Sequence, residues 1–244
     1  MEKLSVKNTG RIVGILFFVV MLLWYSGYAT IGGVIDAPDY LATIYPNKVK
    51  VMTGVLYELL EAAAVMGITF LLFPILKRQS NTLAISYMGF RVFETAMLLL
   101  ALLCALLLIT LSQQYIEGGM TNPAYFETTG AILKETRIKW SLYILGLFHP
   151  LAALPLYYFL YKSKLIPRFI SVWGFVAALW ILIDEVILET FGLGFGRING
   201  VPIAGIAMGL NEVVLGIWLL VKGFNEEAYK VLNEKYLLAS KHHF

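Results

Sequence analysis

The sequence predicts an all-α, polytopic membrane protein, a six-transmembrane-helix bundle followed by a short C-terminal amphipathic helix. Three observations carry this expectation. Of 244 residues, 59% are hydrophobic and only 14% are charged, where a soluble domain carries about 25% charged residues. Mean hydropathy is +0.75. Six stretches reach the length one membrane span needs, roughly 20 apolar residues. None alternates as a strand does, so helices must satisfy the backbone in lipid. A single water-soluble globule is excluded.

The elements follow in order. The first span, 12–35, follows Lys3, Lys7 and Arg11 and ends at Asp36, Pro38 and Asp39. Its apolar run continues through Ile31 to Ile35, which favours a membrane helix over a cleaved leader, although Gly27 and Ala29 resemble a small-residue cleavage site. Spans 49–76 and 82–111 are divided by Lys77 and Arg78, and the third holds the lone cysteine, Cys104, as a small packing residue. Thr121 or Asn122 can cap a helix that has Pro123 at its first position. Residues 123–138 would then extend the fourth span, 139–161, outward. Lys162, Lys164, Pro167 and Arg168 separate it from the fifth span, 167–191. The glycine-containing stretch GFGRINGVPIAG reads as a turn before the sixth span, 201–222. Residues 1–224 thus form the membrane domain. In the tail, 225–244, Asn225 can cap, Glu226 and Glu227 suit a helix start, and Tyr229, Leu232 and Tyr236 share a face. That pattern predicts a helix lying on the inner membrane surface. His242 and His243 are too few for a metal site.

A net charge of +3 with a pI near 8.8 does not indicate nucleic acid, because the basic residues cluster beside apolar spans rather than along one stripe. They report topology instead. One side carries twelve Lys and Arg, the other six, and Arg91 lies within a span. The positive-inside rule then places a multi-pass protein in the cell (inner) membrane with both termini cytoplasmic.

Polar chemistry is concentrated inside the spans: Glu58 and Glu61, then Arg91 and Glu94, then His149, then Asp184 and Glu185, then Asn211 and Glu212. Glu61 and Glu94 lie about 18 Å from one end of their spans, and His149 and Glu212 about 15 Å, so these four can share one depth. Glu58 with Glu61 and Arg91 with Glu94 are three residues apart, and Tyr87 lies four before Arg91, giving polar stripes rather than rings. Tyr25 and Tyr28, beside Trp24, can face the same cavity or form an interfacial aromatic belt. An ionised group at a helix centre costs about 2.5–3.5 kcal/mol. Six carboxylates against the single obligate cation Arg91 must therefore be protonated, hydrated or neutralised by a bound cation. Pro150 and Pro155 mark the fourth span as a site for a kink that opens a cavity or acts as a hinge.

The alternative is structural. Arg91 can pair with Glu61 or Glu94 to fix helix register, Asn211 can tie helices together, His149 can be a core histidine bonded to a carbonyl, and Asp184 and Glu185 can lie at the outer interface. Signatures of zinc proteases, serine hydrolases and P-loop proteins are absent from the sequence, and a single intramembrane histidine argues against a bis-histidine haem site. Carboxylates suit a hard metal ion, with little specificity, and no metal ligand set or cofactor is assigned.

The segments LYELLEAAAVMGITFLLFPILKRQ, LAISYMGFRVFET, LYKSKLIPRFISVWG and GLNEVVLGIWLLVKGF together resemble the bacterial integral-membrane family known as domain of unknown function 4386. The resemblance spans nearly the whole chain. It implies a multi-helix membrane protein and marks Arg91, Glu94, Pro167, Arg168, Asn211 and Glu212, but it implies no activity. The residues themselves point to binding or transport of a small solute or cation with proton coupling. In that reading Glu58, Glu61, Glu94, Glu185, Asn211 and Glu212 line the site, Arg91 sets carboxylate charge and His149 relays protons. A membrane-embedded enzyme acting on a lipid or prenyl-type substrate is the second reading, and a regulatory or scaffolding subunit the third.

Overall fold

The computed structural model describes residues 5–119, 121–193, 197–198 and 201–241, and the fold is all-α with six helical runs long and apolar enough to cross a membrane. Helix α1 (Val6–Ile35) leads through the single turn α2 (Tyr40–Thr43) to α3 (Lys48–Lys77) and α4 (Asn81–Glu117). The fourth run is composite. Helix α5 (Pro123–Glu135) passes through a π-helical turn, Thr136–Trp140, into α6 (Ser141–Ser163), so the helical extension starting at Pro123 is present. Helix α7 (Arg168–Ile181) widens into a second π segment, Leu182–Leu188. A two-residue antiparallel ladder, Arg197–Ile198 with Val201–Pro202, precedes α8 (Ile203–Lys222), and α9 (Glu226–Lys241) closes the chain. The remaining residues of the glycine-rich turn, 194–196 and 199–200, and the terminal His242 and His243 lie outside the described residues.

Helix boundaries follow local chemistry. Pro167 and Pro202, with ψ of 135° and 138°, stand just before α7 and α8, where proline's fixed φ and missing N–H cost nothing. Gly223 ends α8 at φ 69°, a conformation that side chains disfavour. Asn225 caps α9, its Oδ1 accepting from the N–H groups of Glu227 and Ala228 at 3.0 and 3.1 Å. The other expected cap differs: Asn122 sits before α5 at φ 52° without a side-chain capping bond, and the Thr121 hydroxyl donates back to the Gly118 carbonyl. Helix α6 runs through both Pro150 and Pro155 without ending.

The chain divides into two compact units. The first comprises Met1–Phe18, Val65–Phe93 and Gly146–Phe244. In it α7 packs along α8, and small residues set the spacing. A Cβ on Gly14 would stand 2.9 Å from the Gly216 carbonyl oxygen, and one on Gly174 would enter the fully buried Tyr157 ring. Such small positions let membrane helices approach where lipid gives no hydrophobic drive.

The second unit comprises Val19–Ala64 and Glu94–Leu145. Its core joins Ile31, Ile35, Ile44, Val51, Leu102 and Leu108. Here a Cβ on Gly54 would stand 2.5 Å from Ile31 Cγ1, and one on Gly27 would stand 2.6 Å from Glu58 Cγ. At one end, Tyr40 presses its hydroxyl against Gly130 of α5, and Lys134 pairs with Asp36 at 3.2 Å. Burial, followed by the nearby Glu127 charge, raises the Tyr40 phenol above its ordinary value.

Gly174→Val forces Tyr157 to move within a packed interior and is expected to lower stability by about 1–3 kcal/mol. Gly209→Ala, where a Cβ meets nothing within 4 Å, should be neutral or slightly stabilising. Thermal unfolding of both variants in detergent checks the pair, and equal melting temperatures would contradict this account of α6–α7 packing.

Candidate functional site

The ionisable residues singled out in the sequence fall into two sets, one in each unit. In the second unit, Glu58 leans from α3 into space that Gly27 leaves open on α1. Its Oε1 accepts a 2.6 Å bond from Arg137 Nη2. Arg137 Nη1 donates to the Ala101 carbonyl of α4 at 3.1 Å. Both side chains are below 9% exposed. A guanidinium holding a carboxylate and a carbonyl from two other helices is a three-way clasp.

Arg137 is the residue that sequence reasoning missed. By sequence it is one of the six Lys and Arg on the side opposite the termini, whereas it is buried and pairs with Glu58. The sequence signal is the apolar run AIL immediately before KETRIKW, on a helix already expected to start at Pro123. Glu61, one turn along α3, is also buried, and its Oε2 has no hydrogen-bond partner. Glu58 and Glu94 both lie within electrostatic range of it. Glu94 is half-buried on α4. Trp24 and Tyr28 stack with ring centroids 5.8 Å apart, and Trp24, Tyr25 and Tyr28 are all exposed on the surface of this unit. That placement matches the aromatic-belt alternative.

In the first unit, His149 Nε2 on α6 lies 3.7 Å from Glu212 Oε1 on α8. Both side chains are partly accessible, at 26% and 18%. Tyr157, two turns beyond His149 on α6, is fully buried within electrostatic range of Glu212, Arg91 and Tyr87. Arg91 itself is buried, with its guanidinium carbon 5.6 Å from the Tyr87 ring centroid. Thus α4, α6 and α8 each contribute to one patch of opposite charges. Nothing in the local sequence YYFLY distinguishes Tyr157 from the aromatics beside it.

Asn211, beside Glu212, turns a different way. Its Nδ2 donates to the Ile170 carbonyl of α7 at 2.9 Å, and it is fully buried. It ties α8 to α7, the structural role weighed for it. Asp184 and Glu185 both lie in the π segment, the first buried and the second half-buried. The Glu185 carboxylate rests against Gly146 of α6, where a Cβ would stand 3.3 Å from Oε2, and near Gly205 of α8 at 3.7 Å from Oε1. Wide turns of this kind recur at functional sites because they re-aim side chains. Cys104 is buried and unbridged. Among the described residues no three His, Cys, Asp or Glu side chains converge as metal ligands.

The model of the family described as domain of unknown function (DUF4386) matches residues 12–223, and the chain belongs to this family. No curated protein and no solved structure matches it. All residues of both sets lie inside the matched range, and α9 begins beyond it.

Glu58→Ala or Arg137→Ala alone leaves a buried charge uncompensated and is expected to cost about 3–5 kcal/mol. The double variant Glu58→Leu/Arg137→Met should lose far less than the sum of its single changes, because both charges disappear together. Unfolding in detergent measures the cycle, and additive losses would show that the clasp does not couple the two side chains.

Proposed function

We propose that this DUF4386-family protein binds and carries a small solute or cation across the membrane with proton coupling, with His149 and Glu212 as the exchanging pair. The observation that carries the reading is the contrast between the two ion pairs. Glu58 and Arg137 are 2.6 Å apart and buried, while His149 and Glu212 stand 3.7 Å apart, beyond hydrogen-bond length, and are partly accessible. Imidazole is the side chain whose charge changes near neutral pH. With His149 protonated the pair is net neutral. Release of that proton leaves the Glu212 carboxylate as a single negative charge, the form that attracts a cation. Proton and cation then compete for one site, which is the minimum requirement for coupled exchange.

The surroundings support this assignment. Arg91 is a permanent cation on the adjoining α4, and Tyr157 places a hydroxyl-bearing ring within the fields of both Arg91 and Glu212. Glu185 sits farther along α6 and α8, against Gly146 and Gly205, on the path a solute would take beside these helices. Glu61 and Glu94 form a second acidic locus in the other unit. Ionisable groups inside membrane spans are functional candidates by default.

The membrane placement rests on the same charge asymmetry, which the buried Arg137 sharpens. With Arg137 buried rather than flanking a span, the side opposite the termini retains five basic residues against twelve. That asymmetry favours cytoplasmic termini in the cell membrane, with α9 on the inner surface.

Proteoliposomes carrying an imposed pH gradient and an internal pH dye test the function. Sodium, potassium, choline and tetraphenylphosphonium serve as the external cations. At least one of them should dissipate the gradient with wild-type protein, Glu212→Gln should reduce the flux to that of empty vesicles, and Glu212→Asp should retain part of it. Wild-type flux equal to empty vesicles for all four cations, or a fully active Glu212→Gln, would overturn the reading.

A further inference from the structure

In the first unit, the start of α1, the last turns of α3 and the first turn of α9 enclose a groove of about 630 Å³. It lies away from His149 and Glu212 in sequence and in lining residues, and its interpretation is independent of carrier activity. At its charged end are Arg78, Lys230 and Glu226. No ion pair joins Glu226 to either cation among the described residues. The Arg78 guanidinium lies over the Tyr229 ring, 5.0 Å from its centroid. Stacking of this kind fixes the guanidinium plane and leaves its N–H edge for an anion.

The other end is apolar. Phe70 and Pro74 line it and are exposed on a helix long and apolar enough to cross a membrane. Phe70 precedes Arg78 by eight residues, about 12 Å along the helix axis. The groove therefore presents cations and a carboxylate where α3 leaves the membrane, and a bare apolar wall one headgroup-length deeper.

We propose that this groove is a binding site for a membrane phospholipid whose headgroup carries a primary amine. Arg78 and Lys230 hold the phosphate, Glu226 receives the ammonium group, and the glycerol end and first acyl carbons lie along Pro74 and Phe70. A soluble phosphoester would fill the charged end but leave the apolar wall bare. A phospholipid without an amine would satisfy the two cations with its phosphate but leave Glu226 facing an uncharged headgroup. Only an amphiphile with phosphate and ammonium in one headgroup matches all three charges and the wall. Because Glu226 and Lys230 belong to α9, the lipid also fastens the C-terminal helix to α1 and α3.

Native mass spectrometry of the delipidated full-length protein in mild detergent tests the site. The probes are palmitoyl-oleoyl phosphatidylethanolamine, the matching phosphatidylglycerol and free O-phosphoethanolamine. Wild-type protein should retain the ethanolamine lipid about tenfold more strongly than the glycerol lipid, the ratio expected from one additional charge-assisted contact. Lys230→Gln and Arg78→Gln should weaken both lipids, and Glu226→Gln should remove the preference between them. Lys230 and Glu226 are exposed, so their variants keep the test valid if Arg78→Gln fails to fold. Equal retention of the two lipids by wild type, an unchanged preference in Glu226→Gln, or displacement by equimolar O-phosphoethanolamine would each overturn the assignment. The last would identify a soluble phosphoester as the ligand.

Discussion

A carboxylate surrounded by hydrocarbon must obtain a proton, a cation or water, and this requirement organises the charged interior of the protein. Glu58 obtains Arg137, which also occupies a backbone carbonyl of α4. One guanidinium therefore fixes three segments of the second unit at the same depth: α3 through Glu58, α4 through Ala101, and the turn between α5 and α6 through its own backbone. Gly27 belongs to the same arrangement, because a larger residue there would displace the carboxylate from its partner. The aliphatic core of Ile31, Ile35 and Leu108 packs around a register that the ion pair helps define.

The first unit answers the same requirement differently. Its charges are distributed over α4, α6 and α8, and its acid and imidazole are partly accessible, at 18% and 26%. Asn211 there is tied through its Nδ2 to Ile170 in the first turn of α7. Neighbouring positions in one sequence motif, Asn211 and Glu212, thus serve separate purposes. The amide ties α8 to α7, while the carboxylate beside it faces His149 of α6.

Much of this architecture is legible in the sequence because lipid imposes a simple rule on backbone and composition. All six spans, the helical extension from Pro123 and the Asn225 cap of α9 are written as apolar runs, proline positions and a capping side chain. The limits lie where meaning depends on a distant partner. Arg137 stands in a mixed segment, TRIKW, that reads as a flank until Glu58 is seen beside it. Tyr157 is one aromatic among several, distinguished by Gly174 opposite it. The groove at Arg78 brings together residues near positions 5, 75 and 228, a conjunction that no local pattern encodes. The two π segments were unreadable for another reason: an i→i+5 turn has no composition that separates it from an ordinary helix.

The π segment Leu182–Leu188 has a consequence for how the fifth span can vary. An α-helix advances one residue about every 100°, whereas a wider turn advances less, so this stretch shifts the angular phase of everything that follows it. It buries Asp184 and turns Ile183 and Ile187 outward, a division that a uniform helix would draw differently. Removing a single residue here would act on the helix as a rotation more than as a shortening. The segment holds one residue's worth of stored angular slack, and the hydrophobic length of the span is left almost untouched by its presence.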